Sequence, residues 1–137
     1  MKRVLFLDDD DNRHLAFAKA ARYAEPDCML VHVYTASTAI HMLKLQQFDL
    51  VCLDHDLDLI VPDRPGCEET GQVVAEWIAL HMEHSQRPTL VWVHSWNADG
   101  ARQMKTALRQ GGQRVLQTPF SFVTTRSLVN RVSGALS

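Results

Sequence analysis

Val51-Cys52-Leu53-Asp54-His55-Asp56-Leu57 is an apolar run that stops abruptly at Asp-His-Asp. A short continuous apolar run suits a strand buried on both faces of a parallel sheet. Ligands of such sheets bind just past the carboxyl ends of the strands. The triplet therefore stands where chemistry is expected, provided the rest of the chain supplies the sheet and the partners.

The chain on either side supplies both. Upstream, Val4-Leu5-Phe6-Leu7 is a second apolar run, and it ends in Asp8-Asp9-Asp10-Asp11-Asn12. Asn12 or one of these Asp residues caps a helix from about Arg13 to Ala24, with Leu15, Ala16, Ala18, Ala20 and Ala21 on its apolar face. Residues 29–34 are rich in β-branched and aromatic side chains and read as a strand. Ser37 caps a helix over 38–46, with Ile40, Met42 and Leu43 inward, and the strand 49–53 leads into the triplet. Downstream, residues 54–69 read as a loop of about fifteen residues, a length usually reserved for functional or disordered segments. A helix from Thr70-Gly71 to about His84 follows, with Val73, Val74, Trp77, Ile78 and Leu80 or His81 inward. Then come a strand over 89–93, the run His94-Ser95-Trp96-Asn97, and a helix over 98–110 closed by Gly111-Gly112. A short strand at Val115-Leu116, the turn Thr118-Pro119-Phe120 and a helix from about Ser121 to Ser133 complete the chain.

Five strands alternating with five helices predict an α/β fold with a parallel sheet and helices on both faces. The expected architecture is a flavodoxin-like three-layer sandwich of strand order 2-1-3-4-5, in a single domain over residues 1–137. In that order strands one, three and four are neighbours. The polar clusters that follow them, Asp8 to Asp11, Asp54 to Asp56 and His94 to Asn97, would meet in one crevice.

Bulk properties narrow the function. The net charge of −2 and charged fraction of 22% give no general nucleic-acid or membrane surface. An anionic substrate must then be captured locally, by a few cations or a metal. Three cysteines, Cys28, Cys52 and Cys67, show no CxxC spacing, which argues against a disulfide framework or a structural zinc. With no signal-peptide or membrane-span pattern in the sequence, the expected setting is cytoplasmic.

The clusters carry the chemistry. Asp8, Asp9, Asp54 and Asp56 would crowd negative charge that a divalent cation relieves, and oxygen-rich sites suit Mg²⁺ or Mn²⁺. Some of the four consecutive Asp residues serve equally well as solvated helix caps. His55 and His94 each follow a buried strand, and either imidazole can be a general acid or base or a metal ligand, with Zn²⁺ or Fe²⁺ then also admissible. Ser95 and Asn97 can bind phosphate oxygens or simply cap the next helix, and Arg13 can reach a phosphate or remain solvated. An extended backbone would point Asp54 and Asp56 to one side and His55 to the other. His14, His32, His41, His81 and His84 show no partner motif and read as surface or satisfied core residues. Trp96 is a candidate to stack on a base, and equally a core residue.

These residues carry a resemblance at two depths. The acidic pair Asp8-Asp9, the strand-ending Asp54 and the turn before the last helix resemble receiver domains of two-component response regulators. There the turn would read Lys-Pro-Phe; here it is Thr118-Pro119-Phe120, without the lysine that pairs with a phosphorylated carboxylate. The motifs Leu7-Asp8-Asp9, Leu53-Asp54-His55-Asp56-Leu57, Thr70-Gly71 and His94-Ser95-x-Asn97-x-x-Gly100-x-x-x-Met104 resemble the narrower cyclic-phosphate processing receiver-like domains. That family usually has an arginine very soon after its acidic pair, whereas Arg13 comes after two further Asp residues.

The resemblance implies a phosphoesterase for a cyclic phosphate on an RNA end, a nucleotide or an ADP-ribose-like product. Asp8, Asp9, Asp54 and Asp56 would hold the metal, and Asp54 also counts among the catalytic residues. His94 would be the general acid or base, with His55 a second one or a ligand; Ser95, Asn97 and Arg13 would orient the phosphate. The expected partner is a small phosphorylated substrate or RNA terminus. The alternative is a catalytically inactive divergent receiver acting as a signalling or ligand-binding module. A metal-dependent phosphatase for open phosphomonoesters has the same requirements and is not separable by sequence.

Overall fold

The computed structural model describes residues 1–60, 68–120 and 125–137. Strands β1 (Arg3–Leu7), β2 (Met29–Val33), β3 (Leu50–Leu53), β6 (Leu90–Val93) and β7 (Val115–Gln117) form one parallel sheet of order β2-β1-β3-β6-β7. Counted along this sheet alone, the order is the expected 2-1-3-4-5. Helices α1 (Asp11–Ala24), α2 (Ala36–Leu45), α3 (Gly71–His81), α4 (Ala98–Gln110) and α5 (Thr125–Leu136) connect or follow the strands.

Side-chain alternation along the three central strands divides the core in two. Leu5, Leu7, Val51, Leu53, Val91 and Val93 pack with Ala39 and Leu43 of α2, Val74 and Ile78 of α3, and Met104 and Leu108 of α4. Val4, Phe6, Leu50, Cys52, Leu90 and Trp92 pack with Phe17 and Ala20 of α1 and Leu128 and Val132 of α5. Both faces are covered, so these strands read as unbroken apolar runs.

Several expectations are corrected. The segment after β3 is no plain loop: β4 (Asp56–Ile60) and β5 (Glu68–Thr70) form a separate antiparallel pair, and residues 61–67 lie outside the described residues. A run bracketed by Asp, Pro and Gly hides this pair, because its strands gain partners only from each other. The cap of α1 is one of the expected Asp residues, Asp10, which accepts from the amides of Asn12 and Arg13, and the helix starts slightly early, at Asp11. The cap of α2 is Thr35 rather than Ser37, since its hydroxyl accepts from the Thr38 amide at 3.2 Å. Leu15, Val73 and Leu80 are exposed, because Phe17, Ala20 and Ala21 in α1 and Val74, Ala75 and Ile78 in α3 occupy the core-facing turns. Helix α3 ends at His81, before a short 3₁₀ turn at His84–Gln86. Helix α5 begins at Thr125, and Ser121 lies outside the described residues.

Candidate functional site

The register of the sheet assembles the site. Leu7 pairs with Leu53, and Leu53 with Val93. The next rung is Asp8, Asp54 and His94, whose amides continue the ladder: Asp54 N–H donates to the Leu7 carbonyl at 3.1 Å and His94 N–H to the Leu53 carbonyl at 3.0 Å. All three share the parity of Phe6, Cys52 and Trp92 and therefore point to the α1 side of the sheet. Their ligand atoms lie within 4.8 Å of one another and all three residues are buried.

Arg13 enters this group from the first turn of α1. Its Nε donates to Asp8 Oδ2 and its Nη2 to Asp8 Oδ1, both at 2.7 Å, a bidentate pair of the strong, planar kind. Nη2 also lies 3.3 Å from Asp9 Oδ1 and 3.6 Å from Asp54 Oδ2. These carboxylates hold the guanidinium firmly charged, the Asp8 hydrogen bond contributing most. Nη1 lies 3.7 Å from Asp10 Oδ2 as well, so one cation faces four carboxylates and the pocket stays acidic. Burial, then the neighbouring Asp8, pushes the Asp54 carboxyl up to about 7.

His94 lies in an aromatic box. Its ring stacks on Phe6 at 4.9 Å and 3°, with Trp92 and Phe120 edge-on. Burial first, and Arg13 second, push its imidazole down to about 3, so it is neutral at physiological pH. Its Nδ1 is 3.7 Å from Asp8 Oδ2, too far for a hydrogen bond; the backbone carbonyls of His94 and Leu7 lie near enough to favour its charged form slightly, but neither ring nitrogen makes a hydrogen bond of good geometry among the described residues. A buried imidazole left so costs the fold free energy unless a ligand satisfies it.

Asp54, His55 and Asp56 do not share one environment. The chain turns at once after β3, and Asp54 alone enters the pocket. His55 Nδ1 is 2.7 Å from Asp56 Oδ1, and Asn97 Nδ2 donates to the same oxygen at 3.1 Å. The extended-backbone expectation, with Asp54 and Asp56 together and His55 opposite, is thus replaced. Asp56 is an exposed partner of His55, outside the Asp8–Asp54–His94 group in which it was expected as a metal ligand. Its carboxyl is held below the usual range, chiefly by the His55 hydrogen bond.

Ser95 and Asn97 build the rim. Asn97 caps α4 by accepting from the Gly100 amide at 3.0 Å, and Ser95 Oγ accepts from the Asn97 amide at 3.1 Å. Asn97 therefore combines the capping role with a contact to the His55–Asp56 pair. Trp96 is exposed. Two glycines allow the close packing around the triplet. A Cβ on Gly71 would lie 1.8 Å from the Asp54 carbonyl oxygen, and one on Gly100 would lie 2.5 Å from His55 Cγ. Both glycines stand out in the sequence, but nothing there signals what they touch.

This donor set fits a divalent cation. Two carboxylates and an imidazole converge, each offering a ligand atom within 4.8 Å of the others. Asp9 contributes at the edge, through Arg13.

A sequence profile described as Cyclic-phosphate processing Receiver domain matches residues 3–110. A comparison with curated protein sequences gave no match. Among solved structures, the chain is similar to HP1043, an orphan response regulator of H. pylori, at TM-score 0.67 and 15% identity, covering 99% of this chain and 97% of that one. It is similar to the non-phosphorylated HemR receiver domain from Leptospira biflexa at TM-score 0.67 and 21% identity, covering 100% and 95%. It is also similar to the Mn²⁺-bound form of response regulator Rcp1 at TM-score 0.65 and 18% identity, covering 98% and 91%. At these identities the structural likenesses establish the fold, and with the profile spanning most of its length the chain belongs to the cyclic-phosphate processing receiver domain family.

Proposed function

We propose that this chain is a metal-dependent phosphoesterase that opens or hydrolyses a cyclic phosphate on a nucleotide, an RNA end or an ADP-ribose-like product. The observation that carries the reading is His94, a buried neutral imidazole with both nitrogens unpartnered among the described residues, beside Asp8 and Asp54. A receiver that only accepts a phosphoryl group on Asp54 has no use for it.

Asp8, Asp54 and His94 would hold the cation, Mg²⁺ or Mn²⁺ by the carboxylates, with the imidazole admitting Zn²⁺ or Fe²⁺. When bound, the ion neutralises phosphate charge and acidifies water. Among solved relatives of the fold, Rcp1 was described with Mn²⁺ bound, which supports a cation in this pocket. Arg13 now neutralises the same carboxylates, so a cation taking over Asp8 and Asp54 would release the guanidinium toward a phosphate oxygen.

Proton transfer falls to His55. Asp56 accepts from its Nδ1–H, which orients the ring and leaves Nε2 as the base. Asn97 fixes Asp56 from the far side. This exchanges the two histidine roles expected from sequence: His94 serves the cation and His55 the proton. Ser95 retains a hydroxyl proton that can be donated to a phosphate oxygen.

The test is Mn²⁺-dependent turnover of 2′,3′-cyclic nucleotides by the wild type, His94→Ala and Asp54→Asn. Loss in both variants supports the mechanism, and unchanged activity in both removes it. A chain without turnover on any cyclic or open ester, but with Asp54-dependent, acyl-phosphate-triggered partner binding, would instead be a divergent receiver module.

A further inference from the structure

Beside the carboxylate pocket, on its β2 side, two histidines from different elements meet. His14 of α1 and His32 of β2 bring their Nδ1 atoms to 2.7 Å. His14 is buried, and its Nε2 lies 2.9 Å from the Asp8 backbone carbonyl. A carbonyl only accepts, so Nε2 carries the His14 proton and Nδ1 presents a lone pair. His32 Nδ1 then donates the single proton between the rings. A histidine whose remote N–H is tied to a backbone carbonyl, with its near nitrogen bare, has the arrangement found in metal-ligating histidines. The pair lines a cavity of about 310 Å³ with Asp11, Leu15, Ala18 and Tyr34. The Tyr34 ring packs against the His14 ring, with centroids 4.2 Å apart.

We propose that His14 and His32 form a second cation site, which takes a late first-row divalent ion of the Zn²⁺, Ni²⁺ or Cu²⁺ class in place of the shared proton. Imidazole nitrogens favour these ions, whereas the carboxylate pocket suits harder ones. Bonds of about 2.0–2.1 Å at a tetrahedral angle place the two nitrogens roughly 3.3 Å apart. His32 is exposed on edge strand β2, so its ring can swing outward, widening the 2.7 Å separation and turning its Nδ1 lone pair toward an ion shared with His14. Asp11 lies on the wall of the same cavity, and water completes the coordination.

Zn²⁺ alone is titrated calorimetrically into the tag-free full chain and into His32→Ala. Because His32 is exposed, this variant should still fold cooperatively, with a metal-free unfolding midpoint somewhat below the wild type because buried His14 Nδ1 loses its partner. The expected result is one fewer Zn²⁺ equivalent in His32→Ala, or an affinity weaker by at least 100-fold at that equivalent. The His32-dependent equivalent should survive Asp54→Asn, which separates it from the carboxylate pocket. Ring ¹⁵N resonances of His14 and His32 should shift together as that equivalent is added. Identical stoichiometry and affinity in wild type and His32→Ala, or unmoved His14 and His32 resonances at saturating Zn²⁺, would overturn the proposal.

Discussion

Replacing Asp54 by Asn should make the metal-free protein more stable at pH 8 and leave it nearly unchanged at pH 4. Asp54 titrates at about 7 in the folded chain against an ordinary value of 3.8, because burial and the adjacent Asp8 oppose its charge. The folded state therefore holds this proton more tightly than the unfolded state. Below about pH 4 both states are protonated and the group contributes no penalty. As the pH rises from there to about 7, the unfolded chain ionises first and stability falls by about 1.4 kcal/mol per pH step. The loss levels off above the folded value, after a total of about 4 kcal/mol. That shift already contains the attraction to Arg13, so the substitution should recover about the same 4 kcal/mol at pH 8. Asn keeps an oxygen that can accept from the His55 amide, as Asp54 does at 2.9 Å. The assay is urea unfolding of both proteins in chelator from pH 4 to 8.5. The wild-type curve should decline through that window and the Asp54→Asn curve should not. Adding Mn²⁺ at about 100 times its dissociation constant should return roughly 2.7 kcal/mol to the wild type at pH 8 and much less to the variant. Parallel pH curves for the two proteins, or an Asp54→Asn variant less stable than the wild type at pH 8, would refute the reasoning.

Three further outcomes follow from the same geometry. His94→Leu removes an unpartnered buried imidazole at similar volume, so in chelator the fold should lose nothing and gain up to about 1–2 kcal/mol in urea unfolding, while Mn²⁺ affinity drops; a clear destabilisation would mean that His94 is already satisfied. His55→Ala should lower turnover by roughly 10²–10⁴-fold, and Asp56→Asn by part of that, with Mn²⁺ binding unchanged in calorimetry for both; weakened Mn²⁺ binding in Asp56→Asn would return Asp56 to the cation site. The same substitution should have opposite signs at two glycines: Gly71→Ala drives a Cβ onto the Asp54 carbonyl and costs about 1–3 kcal/mol or more, whereas Gly134→Ala in α5 meets nothing within 4 Å and gains up to about 1 kcal/mol, both read by chemical denaturation.

Local chemistry in the sequence determined the parallel sheet and the three polar clusters at the ends of its strands, while the strand order came from the flavodoxin-like pattern that the alternation of elements matches. It could do so because strands covered on both faces need unbroken apolar runs, and Val4 to Leu7, Leu50 to Leu53 and Leu90 to Val93 are such runs. Even the convergence of Asp8, Asp54 and His94 is encoded, since each stands one residue beyond a central strand and shares its parity. The division of labour within the clusters was decided only by tertiary structure. Asp54 and Asp56 are two residues apart, and a turn too short to leave a sequence signal sends one into the pocket and the other to His55. Arg13 was ambiguous until the first turn of α1 lay over Asp8 and Asp54. His14 and His32 carried no motif, because their contact exists only where α1 crosses β2. Spacing along a chain reports which face a residue takes, and which atoms fall within bonding distance depends on how separate elements dock.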